Sequence, residues 1–366
     1  MKAKRLRQIV DALGQFPFDV RTHCIGLLAL VSYCVHQAIF LRFNLAEWDW
    51  LAISGFALLL VGLRIAPKID DLLAHSLRRL HGRGVIACSE SEFEQLNKRL
   101  AQLRRKRAPI WGLVITLAIV VAFGVAWGKK LIDDPVRLAL LAVEALGGYV
   151  AGFYLGWMVI HGRLARALKT QGINYSVQPG HPDGAAGWRP LGDFYFRQAM
   201  LAGLPAAYLA FWVAFIPHLS SAALFSRYTS WGAAYLILLP IAVLVEVAAF
   251  VWPMGSFHRE MVRQKRVLAA QADKIARRIS TIQAEIRGTT HPEEIEELNA
   301  RLALDLKLYN ELEGLPTWPM STKIRRRFAV QNLALVALPV LGQLVGDKER
   351  WDTLVEALRS LFSGGG

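Results

Sequence analysis

Six stretches of this chain, about 24–41, 50–66, 110–128, 138–160, 199–217 and 232–254, are apolar over the length a helix needs to cross a bilayer. Roughly 20 mostly apolar residues span the hydrocarbon core. Within lipid every backbone N–H and C=O must be paired inside its own segment, so each stretch is expected to be helical. A seventh stretch, 328–346, carries Gln331, Asn332 and Gln343, with Pro339 near its middle. It reads either as a true span or as an interfacial or re-entrant helix. The expected fold class is therefore all-α: a polytopic transmembrane helical bundle of six or seven spans.

Charge sorts along the chain in step with these stretches. Hydrophobic residues make up 54% of the 366, yet Lys and Arg number 43 against 29 Asp and Glu. Residues 1–21 hold five basic residues, 67–109 ten, 161–198 five and 255–327 fourteen, so 34 of the 43 fall on alternate connections. The intervening connections carry only Arg42, then Lys129, Lys130 and Arg137, then Arg227. Lys and Arg are retained on the cytoplasmic side of a membrane. This predicts a bacterial inner-membrane protein with a cytoplasmic N-terminus that reads as a retained signal anchor. Anionic lipid is expected against the basic connections. The same sorting accounts for the basic balance without nucleic acid as a partner. The chain divides accordingly into 1–66, 67–109, 110–160, 161–198, 199–254, 255–327 and 328–366.

Two of the basic connections read as cytoplasmic helical hairpins. In the first, Ile69, Leu72, Leu73, Leu77 and Leu80 keep helical spacing, Gly82 and Gly84 break it, and Ser91 with Glu94 has capping-box spacing. Phe93, Leu96, Leu100 and Leu103 then repeat at three and four, ending at Ala108-Pro109. In the second, Met261, Leu268, Ile275, Ile279 and Ile282 lead to a turn at 288–292, where Thr290 and Glu293 form another capping-box pair. Leu298, Leu302 and Leu306 line the returning helix. Each hairpin is entered from a span that ends in or near a proline, Pro67 or Pro253, and residues 69–81 are expected to continue the second span. The segment Glu94-Gln-Leu-Asn-Lys-Arg-Leu-Ala101 matches Glu296-Glu-Leu-Asn-Ala-Arg-Leu-Ala303 closely. That match suggests a parallel internal repeat, spans one to three against five to seven; shared vocabulary of good helix formers is the other reading. The C-terminal stretch 350–362 reads as an amphipathic helix.

Ionisable residues inside spans are costly and tend to mark function. Four occur here: His36, Arg64, Glu144 and Glu246. Counted from the outer ends of their spans, His36 and Glu144 lie at similar depth, as do Arg64 and Glu246, so each pair could meet. Gly148, Gly152 and Gly156 recur every fourth residue and mark a face for close helix packing. His181 and Asp183 lie in the turn-rich loop 178–190. Two residues do not make a metal site. Cys24, Cys34 and Cys88 form neither a disulfide framework nor a metal spacing. With no catalytic motif, no enzyme activity and no cofactor is expected. Two function classes remain: a channel- or transporter-like conduit for ions or small solutes, expected to be a homo-oligomer, and a membrane-anchored module whose hairpins bind a soluble cytoplasmic partner.

Overall fold

The structure, a computed structural model, describes residues 20–40, 48–128, 135–216 and 222–346. Ten helices occur among them: α1 (Val20–Phe40), α2 (Trp50–Gly82), α3 (Glu90–Gly128), α4 (Pro135–His161), α5 (Leu164–Thr170), α6 (Arg189–Ala202), α7 (Leu204–Phe215), α8 (Ala222–Gly288), α9 (Pro292–Glu313) and α10 (Thr322–Gly346). Two short strands, β1 (Ile86–Ala87) and β2 (Asn174–Tyr175), pair antiparallel. The basic start at 1–19, the connections carrying Arg42, Lys129 and Lys130, and the helix expected at 350–362 lie outside the described residues.

Five helices, α1 to α4 and α8, contain stretches long and apolar enough to cross a membrane, and the α6–α7 pair makes six if counted as one span. The stretch 328–346 lies within α10, continuous through Pro339 and packed along α7, but it is not among those five. Leu28, Leu117, Ile237, Leu244 and Leu333 are 64–68% exposed. So much outward apolar surface on several helices fits a lipid environment and would be a liability in water.

The helix end expected at Ala108-Pro109 is not formed, and the spans ending near Pro67 and Pro253 run on into their hairpin arms. α2 runs unbroken through Pro67, α3 through Pro109 and α8 through both Pro240 and Pro253. A proline inside a helix removes one backbone bond and crowds the preceding turn, but neighbouring helices and small local adjustments let membrane helices absorb that loss. Spans and hairpin arms are therefore single rods. The break falls instead at Gly203, where α6 and α7 meet at 41°. Pro205 sits in the first turn of α7, where its missing N–H leaves nothing unsatisfied. The caps shift too. Ser89 and Glu92 form the capping box of α3: the Ser89 N–H donates to Glu92 Oε2 at 2.8 Å, and the Glu92 N–H donates back to Ser89 Oγ at 3.3 Å. The N-cap of α9 is His291 followed by Pro292, not Thr290.

The connections 67–109, 161–198 and 255–327 meet at one end of the molecule, here the hairpin end. β1 pairs with β2 across the first two. Gln264 on α8 accepts from the Val177 N–H at 2.8 Å and donates to the Tyr175 carbonyl at 2.7 Å. Lys265 donates to the Glu313 and Leu315 carbonyls at the end of α9. The core there is aromatic: Trp188 is 1% exposed, its ring centroid 5.2 Å from Phe257 and 5.4 Å from Tyr175. Its indole N–H donates to the Ser176 carbonyl at 3.2 Å, which satisfies the polar edge of an otherwise apolar anchor.

Candidate functional site: an apolar cavity with polar ends

A cavity of about 600 Å³ lies between α2 and α4, with further wall from α3, α7 and α8. It exists because small residues line it: Gly55 and Gly62 on α2, Gly147 and Ala151 on α4. A Cβ added at Gly62 would meet nothing within 4 Å. Leu59, Ile119, Val143, Leu155 and Val245 make most of the remaining surface oily.

One end carries Asp49, Glu144, Tyr208 and Tyr235. Asp49 caps α2, accepting from the Ala52 N–H and the Tyr33 hydroxyl at 3.2 Å each. Its own N–H donates to Gln37 Oε1 at 3.3 Å, which ties α1 to the start of α2. Tyr208 donates to the Leu51 carbonyl at 2.8 Å and Trp212 Nε1 donates to Ser54 Oγ at 3.1 Å, so α7 is fixed to the same turn. The other end is reached at Tyr154, Met158, Leu201 and Ala202. One helical turn beyond Met158 and Leu201, His161 Nδ1 lies 2.8 Å from Gln198 Oε1, with both side chains buried. The Tyr195 hydroxyl holds the His161 carbonyl at 2.6 Å. Beside them Arg104 is paired with Asp70 and stands 5.2 Å from the Trp157 ring centroid.

The structure gives the intramembrane candidates different surroundings. Glu144 is half-buried on the cavity wall. Glu246 is fully buried, and its Oε1 accepts from Gln331 Nε2 at 2.7 Å, whereas Arg64 is exposed on α2. Equal depth did not give equal azimuth. The Glu246 carboxyl fills the space over Gly203, where an added Cβ would come 2.4 Å from Oε2, so it wedges against the α6–α7 break. The His36 ring packs on Phe40 with centroids 4.3 Å apart. Gly148, Gly152 and Gly156 lie against α3: a Cβ at Gly152 would come 2.4 Å from the Trp111 carbonyl oxygen, and one at Gly156 2.8 Å from Ala108 Cα. This stripe joins two helices of one chain.

Asp183 is the hub of the 178–190 loop. Its Oδ1 accepts from the Ala185 and Gly187 N–H groups at 2.9 and 3.0 Å, and Arg83 Nη1 donates to its Oδ2 at 2.8 Å. His181 Nδ1 stands 3.1 Å from Oδ1. Burial works against the charged form of Asp183, but the N–H donors of Gly187 and Ala185, with His181 and the Arg189 N–H, outweigh it and hold its pKa below the ordinary carboxylate range. The pair therefore fastens the loop to the end of α2. Among the described residues no group of three or more His, Cys, Asp or Glu is placed to hold a metal ion.

The sequence reading passed over Asp49, Tyr154, His161, Gln198 and the Arg104–Asp70 pair. Asp49 had a signal, since an Asp directly before an apolar helical run is an N-cap signature. His161 with Gln198 and Arg104 with Asp70 are defined by partners more than thirty residues away, and Tyr154 carries no local mark. Compared with known protein families, characterised proteins and solved structures, the chain matches none.

Proposed function

We propose that this is a multi-pass protein of the bacterial inner membrane, a transporter-like conduit for small apolar or amphipathic solutes, with its hairpin end in the cytoplasm. The observation that carries the reading is the 600 Å³ cavity within the helices predicted to span the membrane. Its volume is that of a small-molecule site, and its oily wall suits a molecule that arrives from lipid better than a hydrated ion. Arg64 is exposed while Glu246 is buried against Gln331, which does not favour a polar file through these two. Cytoplasmic placement of the hairpin end rests on its share of Lys and Arg, which would face anionic lipid. A sevenfold span count, a parallel repeat and a homo-oligomer belong to the same proposal.

The test is photo-crosslinking in nanodiscs with a diazirine-bearing aliphatic probe. Wild type is expected to be labelled on the cavity faces of α2 and α4, and Ala151→Phe to lose that labelling. Equal labelling of both proteins would remove the cavity from the function.

A second reading, a signalling module with a soluble partner, is favoured by one feature. Val267 on α8 and Leu304 and Leu308 on α9 are exposed on the hairpin. Co-purification of a stoichiometric soluble partner that Leu304→Glu releases would support it.

A further inference from the structure

We infer that the cavity takes an amphiphile whose polar end offers acceptor oxygens, a carboxylate or phosphate on an aliphatic chain, with that end seated at Tyr154 and Gln198. The inference rests on the cavity reading above and specifies its ligand. The cavity wall carries one donor that the protein leaves unused, the Tyr154 hydroxyl, and others lie just behind its inner end. The Tyr154 hydroxyl, Gln198 Nε2 and Arg104 Nε are buried and have no hydrogen-bond partner among the described residues. Gln198 Oε1 lies against His161 Nδ1, so the Gln198 NH₂ is turned away from the histidine. Leaving buried donors unpaired is costly, so a cluster of them calls for an acceptor. The Tyr154–Trp157 and Trp157–His161 ring centroids are 6.2 and 6.3 Å apart, and Arg104 stands over Trp157, so the groups form one neighbourhood.

The opposite end fixes the direction of the ligand. Asp49 and Glu144 line the cavity there, and two carboxyl groups repel an anionic head. From Glu144 to Tyr154 along α4 is roughly 15 Å at 1.5 Å per residue, room for an aliphatic tail to lie between them. The tail then occupies the glycine-lined middle.

The experiment compares two photoreactive probes of equal chain length, a C18 diazirine fatty acid and the matching C18 diazirine amine, on the full chain in nanodiscs. The acid is expected to label wild type at least tenfold more efficiently than the amine. Tyr154→Phe removes one hydroxyl that bonds nothing, so it should fold as wild type and narrow that preference several-fold. Gln198→Met should narrow it further, and Tyr154→Phe decides the matter should Gln198→Met fail to fold. Equal labelling by acid and amine, both blocked by Ala151→Phe, would overturn the head-group inference and leave the cavity reading intact. Labelling by either probe that Ala151→Phe does not block would overturn both.

Discussion

The two ends of the molecule are built on opposite principles. At the hairpin end, Trp188, Phe194, Tyr195 and Phe257 fill a core with rings and every loop is tied to a helix by named bonds. Toward the other end α2 and α4 draw apart around glycines and alanine, leaving a void that no side chain fills. Close packing and open space are both made from small residues: Gly152 lets α3 touch α4, whereas Gly62 leaves a gap. What a glycine does in this bundle depends on what stands opposite it.

The contrast can be broken at several points. Trp188→Ala should be the most damaging change, costing about 3–5 kcal/mol as expected for removing a buried large aromatic. A melt in detergent followed by near-ultraviolet circular dichroism would read it, and a loss under 1 kcal/mol would mean that the aromatic core does not hold this end. Gly152→Leu should cost about 1–3 kcal/mol by overpacking against the Trp111 backbone. Gly62→Leu should be neutral or stabilising by up to about 1 kcal/mol, because it removes a mid-helix glycine and meets open space. The sign difference between the two glycine variants is the sharpest check on the comparison.

Asp183→Ala should cost about 1–3 kcal/mol by stranding Arg83 and the Ala185 and Gly187 N–H groups. Asp183 also predicts a pH response. Because its pKa is lowered in the fold, its stabilisation is fully present above the ordinary carboxylate range and is lost as pH falls through the lowered native value. The protection factor of the Gly187 amide against hydrogen exchange should therefore fall in acid. The smallest effect expected is that of Asp183→Asn, which should flatten this acid response while keeping part of the turn. An unchanged acid profile in that variant would move the response to another group.

How much of this was readable beforehand follows from the range of each interaction. Span lengths and the alternation of charge are properties of consecutive residues, and the structure brings the three long basic connections to one end as their charge implied. The hairpin turn at 288–292 was legible for the same reason: Gly288 and Pro292 act locally. Continuity through Pro67 was legible in the spacing of Ile69, Leu72, Leu73 and Leu77; continuity through Pro109 was not, since it depends on neighbours that absorb a missing hydrogen bond. The pairing of Glu246 with Gln331 rather than Arg64 was hidden because depth along a helix says nothing of rotation about its axis. The His161–Gln198 floor joins helices thirty-seven residues apart and has no one-dimensional trace.

α8 is 67 residues long without interruption. At 1.5 Å per residue it is a rod of roughly 100 Å. Tyr235, Ala242 and Val245 near one end shape the void, while Gly288 at the other carries the tip of the hairpin. The tip of the hairpin and one face of the chamber are therefore carried on the same helix.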